Sequence, residues 1–180
     1  EETARELRYD FFARSRRAHG IDRIAVAHHK NDLAESFLLH LLRGSGLTGL
    51  CAMPYLRPDG IIRPMLDISR AEIEAYARAH GVPFREDATN QDTRYSRNFV
   101  RRELIPQMQQ LNPDAVGAIA RAARLLGEED ALLREYTMRE YARVARAQGG
   151  RVRLDTEELC LLSGALRRRV LRLAIARCAG

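Results

Sequence analysis

The stretch from Ile24 to Leu50 constrains the fold of this chain more than any other part of the sequence. It begins with a short apolar run, residues 24–27, which is typical of a buried strand. Two histidines follow, and then a segment with helical spacing runs to Arg43, where a glycine-containing loop begins. Open α/β sheets bind their ligands where a strand ends and a helix begins. This stretch therefore predicts an α/β fold with a ligand site beyond the end of the strand.

The charged side chains of this helix allow two interpretations. Asp32 and Glu35 are three residues apart, so they share one helix face and together suit a substrate ammonium group or a general base. The structural alternative is that His28 and His29 cap or fill the helix start and that the acids favour its N-terminus. The other face of the helix is predicted to be a packing stripe of Leu33, Phe37, Leu38, Leu41 and Leu42.

The loop after the helix has the composition of a phosphate-binding turn. Arg43 can stabilise phosphate charge, and Gly44 and Gly46 let the backbone approach a phosphate closely. Ordinary helix termination by glycine explains the same residues. A metal site formed by His29 and the two acids is a third interpretation of the stretch. The sequence lacks the two histidines four residues apart that are typical of helical zinc sites.

Net charge is distributed unevenly along the chain. The formal charge of +6 comes entirely from residues 91–180, which carry 17 basic and 11 acidic side chains. Lys30 is the only lysine, and arginine binds phosphate bidentately and stacks on bases. The asymmetry favours an anionic partner for the second half, although a bias towards arginine codons explains the arginine count equally well.

Composition also indicates a compartment. No apolar run of about 18 residues is present, so we expect no membrane-spanning helix. Cys51, Cys160 and Cys178 are widely spaced and form no CxxC pair, which favours reduced thiols in the cytoplasm over a disulfide framework. The acidic, amphipathic start is no signal peptide and lacks an initiator methionine, so we expect the chain to begin within a longer protein.

A second polar segment, Phe84 to Pro106, is dense in arginine and interleaved with aromatic residues. Arg97 and Arg101 are four residues apart and project together if the segment is helical, which predicts a phosphate-facing stripe. A solvated helix with ordinary ion pairs is the alternative. Asp87 and Asn90 are typical of a turn that positions side chains.

Periodicity and capping signals predict the remaining elements. Ser69 and Glu72 have the spacing of a capping box. Alternating strands and helices predict a parallel sheet with crossover helices, although two strands are too few for a complete sheet. We expect helices over 1–19, 70–80, 156–162 and 164–178, a strand over 61–63, a short extended piece over 151–154, and a long helix over 115–148 that Gly127 interrupts.

Taken together, these motifs resemble the tRNA(Ile)-lysidine synthetases, a branch of the N-type PP-loop ATPases. That family carries a His-His-x-x-Asp-x-x-Glu-Thr pattern, a leucine-rich helix and then Arg-Gly-Ser-Gly-x-x-Gly-Leu. Ser36 replaces the usual threonine here and keeps the hydroxyl group. The matching residues are His28, His29, Asp32, Glu35 and Ser36, then Arg43, Gly44, Ser45, Gly46, Gly49 and Leu50.

Two further motifs resemble the same family. RPMLDISRAEI, residues 63–73, is similar to its Arg-Pro-Leu-Leu-x-x-x-Arg-x-Glu-Ile motif, with Arg63 and Arg70 at the polar positions. The family's Ser-Gly-Gly-x-Asp-Ser loop, which binds the pyrophosphate of ATP, does not occur in the sequence. We therefore expect a fragment that lacks this loop and part of the sheet and that is inactive alone. A longer family pattern is matched by Glu86, Asp87, Thr89, Asn90, Arg97, Asn98, Arg101 and Pro106.

The resemblance implies a fold and an activity. The fold is α/β: the C-terminal part of a parallel-sheet PP-loop domain, similar to the adenine nucleotide alpha hydrolases, over residues 1–107, and an all-helical tRNA- or substrate-binding region over 108–180. The activity is ATP-dependent ligation of L-lysine to C2 of cytidine 34 in tRNA(Ile) with a CAU anticodon. ATP adenylates the C2 oxygen and releases pyrophosphate, the lysine ε-amine attacks C2, and AMP leaves. ATP and Mg²⁺ are the implied cofactors, no membrane partner is expected, and a homodimer stays open.

The resemblance also implies roles for individual residues. Asp32 and Glu35 hold or deprotonate lysine, and His28 and His29 contact phosphate or relay a proton; with Arg43 they form the expected catalytic set. A tRNA-thiolating PP-loop enzyme is one alternative, which the cysteine spacing fits poorly, and a non-catalytic basic RNA-binding module is another. Contacts to the phosphates of ATP or tRNA are expected from Arg43, Gly44, Gly46, Arg70, Asn90, Arg97, Asn98 and Arg101.

Overall fold

Two short strands pair in parallel in the N-terminal part of the structure. The computed structural model describes residues 2–51, 53–84, 96–148 and 151–179, and it divides into two units, 1–126 and 127–180. A long helix, α7 (Ala115–Val144), runs from the first unit into the second. The other elements of the first unit are α1 (Glu2–His19), β1 (Ile24–Ala25), α2 (Lys30–Leu42), α3 (Leu47–Leu50), β2 (Ile61–Ile62), α4 (Arg70–Ala79), α5 (Ser96–Phe99), a π-helical segment π1 (Val100–Leu104) and α6 (Ile105–Leu111).

The parallel pairing brings two strand ends side by side. Ile24 lies opposite Ile61, and the next residue of each strand continues the register. The backbone N–H of Val26 donates to the carbonyl of Ile62 at 2.9 Å, and an isolated parallel bridge joins His29 to a residue beyond β2. Because both strands run in the same direction, the residues after β1 and after β2 emerge at one edge. The predicted α/β class with a partial parallel sheet is confirmed.

The core of the first unit lies between α2 and the helices that follow residue 96. Leu38 is buried as predicted, but Leu41 and Leu42 are 51% and 71% exposed, so the predicted stripe is wrong for these two residues. The helix ends at Leu42, and Gly44 then turns the chain with a φ of 70°. The last helical turn, which carries Leu41 and Leu42, therefore extends past the core. The buried core residues are Ala34, Leu38, Val100, Ile105, Val116 and Ile119.

A reciprocal capping box starts α4. The Ser69 hydroxyl accepts from the backbone N–H of Glu72 at 3.2 Å, and the Glu72 carboxylate accepts from the Ser69 N–H at 2.7 Å. The predicted capping box is therefore confirmed, and it fixes where α4 begins beyond β2.

The second unit combines helices with a two-stranded hairpin. Its strands β3 (Ala145–Gln148) and β4 (Arg151–Leu154) pair antiparallel, and α8 (Thr156–Leu161) and α9 (Gly164–Ala179) follow. The predicted long helix is wrong for residues 145–148, which form β3, and Gly127 does not interrupt it. The buried core residues are Tyr141, Val144, Ala145, Leu162, Val170 and Ala174. No helix within the described ranges is both long and apolar enough to cross a bilayer.

Candidate active site

The residues that follow the two parallel strands meet at the carboxyl edge of the sheet. His28 follows β1 and Arg63 follows β2, and Arg63 is only 3% exposed. The Arg63 Nε donates to His28 Nδ1 at 3.3 Å, and its Nη1 donates to the carbonyl of Pro54 at 2.7 Å. Since Nδ1 of His28 accepts, Nε2 carries the proton of the neutral ring. The sheet edge therefore presents a histidine whose tautomer is set by a buried arginine.

Two helix N-termini converge on the same edge. The side-chain carbonyl of Asn31, in the first turn of α2, accepts from the backbone N–H of Arg70, the first residue of α4, at 2.9 Å. The backbone N–H of Lys30 donates to the carbonyl of Ile68 at 3.0 Å. Both N-termini carry partial positive charge, which favours an anion nearby. The guanidinium of Arg70 itself pairs with Glu74 on its own helix at 2.7 Å.

His29 caps α2. Its Nδ1 accepts from the backbone N–H of Asp32 at 3.3 Å, and the Asp32 carboxylate accepts from the His29 N–H at 3.1 Å. This reciprocal arrangement confirms the structural interpretation for His29, because the side chain satisfies a helix N–H group that otherwise lacks a partner.

A network of two carboxylates and two guanidinium groups joins α2 to the α5–π1 segment. The Arg97 Nε donates to Glu35 Oε2 at 2.8 Å, and its Nη2 donates to Asp32 Oδ1 at 3.0 Å. The Arg101 Nε donates to Glu35 Oε1 at 2.6 Å and its Nη2 to Oε2 at 3.0 Å. The prediction that Arg97 and Arg101 project together is confirmed, and their direct partners are the two acids of α2.

Exposure differs sharply among the four members of this network. The Glu35 side chain is 1% exposed and that of Asp32 13%, whereas the side chains of Arg97 and Arg101 are 34% and 24% exposed. Hydrogen bonding to Glu35 raises the pKa of Arg101 above its ordinary value; the charges of Glu35 and Asp32 add to this, and burial opposes it. Glu35 thus acts as a buried anchor, and the two arginines face outward from it.

The metal interpretation finds no supporting cluster among the residues that the structure describes. No group of three or more metal-ligating side chains occurs among them. The oxygens of Asp32 and Glu35 accept hydrogen bonds from guanidinium groups and from the cap of α2.

The glycine loop after α2 is tightly folded. Arg43 and Gly44 are exposed at the end of the helix, and Gly46 is the N-cap of α3. The Nδ1 of His40 donates to the carbonyl of Gly49 at 2.6 Å, which fastens the loop to α2. A Cβ atom at Gly49 would lie 2.7 Å from the Cβ of Ser45, so this position requires glycine. No contact between described residues joins Arg43 to the carboxylate network.

The remaining predicted site residues lie near the network or outside the described residues. Asn98, which lies between Arg97 and Arg101 in the sequence, is buried, with 9% of its surface exposed. Asn90 lies outside the described residues, as does the rest of the 85–95 segment. The roles assigned to all of these residues stay predictions.

Sequence reasoning assigned no role at this site to three side chains, Asn31, His40 and Arg63, although Arg63 was matched to a family motif. Arg63 carried a usable signal, since it follows a short apolar strand just as His28 does. Asn31 and His40 carried none, because a polar residue on an amphipathic helix is usually solvated and their partners are backbone groups in other segments.

The parallel strand pair, with polar residues and helix N-termini at its carboxyl edge, is typical of nucleotide-binding α/β domains. The family model of the PP-loop domain, whose name denotes ATP binding, matches residues 1–108. The chain belongs to the PP-loop domain family.

The curated relatives that the chain matches are more specific. A tRNA(Ile)-lysidine synthase from Symbiobacterium thermophilum is 44% identical over 190 aligned residues, which cover 100% of this chain and 39% of that protein. The synthase of the same name from Geobacter sulfurreducens is 41% identical over 98% of this chain and 38% of its own length. One from Porphyromonas gingivalis W83 is 49% identical over 67% of this chain and 27% of its own length. The chain therefore spans well under half the length of these relatives.

Proposed function

We propose that the chain forms part of an enzyme that uses ATP to ligate L-lysine to C2 of cytidine 34 in tRNA(Ile) with a CAU anticodon. The observation that carries this proposal is the network of Asp32, Glu35, Arg97 and Arg101 beside the carboxyl edge of a parallel sheet. Relatives named tRNA(Ile)-lysidine synthase, which match up to the full chain, support the same reaction.

The proposed substrates have opposite charges, and the network contains both carboxylates for a cationic substrate and guanidinium groups for an anionic one. Lysine brings a cationic amine, which needs a carboxylate to hold it and a base to take its proton before it attacks C2. Asp32 is the more exposed acid and is the one we assign to the amine. Both oxygens of Glu35 bind guanidinium groups, so we assign Glu35 to positioning Arg97 and Arg101.

The guanidinium groups suit the anionic substrates. Arg97 and Arg101 are each held along one edge by carboxylates, which fixes the plane of the group and favours directed contact with phosphate oxygens of ATP or tRNA. His28, with its proton on Nε2, suits a hydrogen bond to a phosphate or a proton relay. The N-termini of α2 and α4 add partial positive charge at the same edge.

Mg²⁺ is an expected companion of ATP, but the described residues do not form a cage for it. Magnesium usually keeps several waters and binds through substrate phosphates. We therefore expect the ion to arrive with ATP, and no step of the proposal depends on a protein-held metal.

The expected compartment is the cytoplasm, and light scattering of the purified protein would distinguish a monomer from a homodimer.

The direct test is incorporation of labelled lysine into tRNA by the full-length gene product. We expect lysine to enter a tRNA(Ile) transcript with a CAU anticodon, with one AMP released per lysine, and not to enter a matched transcript with uridine at position 34. Transfer of sulfur in place of lysine would support a thiolating enzyme. Binding of tRNA without either reaction would support a non-catalytic RNA-binding module.

A further inference from the structure

The arginines of the second unit divide into those with a partner inside the unit and those with none among its described residues. Residues 127–180 contain eleven arginines. Two of them share one buried carboxylate: Arg134 and Arg169 bind Asp130 at 2.7 and 2.6 Å, and the Asp130 side chain is 2% exposed. Arg167 donates to the carbonyls of Cys160 and Leu162 at the end of α8.

Four more arginines have partners that account for them. Arg143 pairs with Glu140 and Glu158. Arg139 and Arg177 lie over the rings of Tyr136 and Tyr141. Arg146 donates to the carbonyls of Ala142 and Arg143 in the last turn of α7, where a cation is favoured by the helix dipole. These arginines stabilise the unit and are poor candidates for an external ligand.

Arg151, Arg153, Arg168 and Arg172 remain. All four are exposed, and none forms an ion pair or hydrogen bond with any residue in the described part of the unit. They form two pairs of similar spacing. Four residues along α9 correspond to a rise of about 6 Å, and two residues along β4 to about 6.6 Å. Both distances are close to the separation of successive phosphates along a nucleic-acid strand.

The fold explains why each pair faces outward. Val152 and Leu154 alternate with the β4 arginines and pack against the core of the unit, so Arg151 and Arg153 share the opposite face of the hairpin. On α9, Arg168 and Arg172 lie one helical turn apart. Like charges that share a face repel each other, and a bound polyanion removes that cost.

We propose that these two arginine pairs contact the phosphate backbone of RNA. The inference rests on the proposed function, which makes tRNA the polyanion. An anionic membrane is the competing ligand for the α9 pair, because exposed Leu171 and Ile175 lie beside it. The β4 pair favours RNA, since the residue paired across the sheet from Arg153 is a third arginine, Arg146.

The test is the salt dependence of tRNA binding by the full-length gene product. The variants are R168Q/R172Q and R151Q/R153Q. The matched control is R139Q/R143Q, which removes the same charge from two arginines that are four residues apart on a helix and have internal partners. Each phosphate contact contributes roughly 0.7–0.9 to the slope of log Kobs against log salt, so each test pair should lower the slope by about 1.4–1.8. The control pair should leave the slope unchanged.

Three results would overturn the proposal: no change in slope for either test pair, an equal change for the control pair, or lost binding to phosphatidylserine vesicles with tRNA binding intact. Circular dichroism melting curves that match the unmodified protein establish that each variant folds. The binding measurement does not depend on catalysis. The proposed RNA contact can therefore be confirmed even if lysine incorporation is absent, and it can fail even if lysine incorporation is present.

Discussion

Arg101 holds Glu35 with a bidentate ion pair, in which Nε donates to Oε1 at 2.6 Å and Nη2 donates to Oε2 at 3.0 Å. Arg97 binds the same carboxylate at 2.8 Å. One buried acid on α2 thereby fixes two guanidinium groups that follow it by 62 and 66 residues. The arrangement ties the helix after β1 to the arginine-rich segment and gives the proposed site its geometry.

Neutralising this acid should destabilise the first unit. Removing one member of a buried charged network leaves its partners uncompensated, so we expect Glu35→Gln to lower the free energy of unfolding by about 3 kcal/mol. Urea denaturation measures this value. Glu74→Gln is the control, because it breaks a partly exposed pair with Arg70 and should cost about 0.5 kcal/mol. Equal losses for the two variants would show that Glu35 is no anchor.

The glycine loop should depend on one hydrogen bond from His40. Replacing His40 with alanine removes a donor to the Gly49 carbonyl, so we expect amide exchange at Gly49 and Leu50 to accelerate by up to about tenfold. His40→Asn places an amide N–H near the position of Nδ1 and should restore protection, whereas His40→Gln should not. Equal exchange rates in all three variants would show that the loop does not depend on the hydrogen bond from His40.

The capping box of α4 gives a pH-dependent signature. Hydrogen bonds from Ser69 lower the pKa of the Glu72 carboxyl below its ordinary value. A depressed folded-state pKa contributes stability that is present above the unfolded pKa and is lost as pH falls through the folded value. Ser69→Ala should therefore raise the pKa of Glu72 towards its ordinary value. An NMR titration of the Glu72 side chain measures this change, and an unaltered titration would contradict the cap.

Local patterns in the sequence predicted the local parts of this site. The strand ahead of His28 and the capping box at Ser69 depend on neighbouring residues alone. The structure confirms the capping box and a strand over Ile24–Ala25, but the predicted burial is wrong, because Ile24 is half-buried and Ala25 is exposed. Residues 145–148 read Ala-Arg-Ala-Gln, all good helix formers, yet they form a strand because β4 supplies a pairing partner. Tertiary pairing overrode propensity there, and sequence spacing did not indicate it.

The partners of the charged residues were harder to predict than their positions. Spacing showed that Arg97 and Arg101 share a face, but it did not show that they bind Glu35, because that contact depends on how π1 packs on α2. The stripe on α2 failed at its end for a related reason. Leu41 and Leu42 have the right period, but they extend past the elements that bury Leu38.

The most direct test of the central claim is the steady-state kinetics of lysine incorporation by Asp32→Asn in the full-length gene product. Asparagine keeps an acceptor for the cap of α2 and removes the charge that we assign to the lysine amine. Loss of a hydrogen bond to a charged group weakens binding by roughly 10- to 100-fold. The kcat/KM for lysine should therefore fall by that factor, while the Kd for tRNA and the KM for ATP stay unchanged. Glu74→Gln serves as the control carboxylate. An unchanged kcat/KM for lysine in Asp32→Asn would contradict the account.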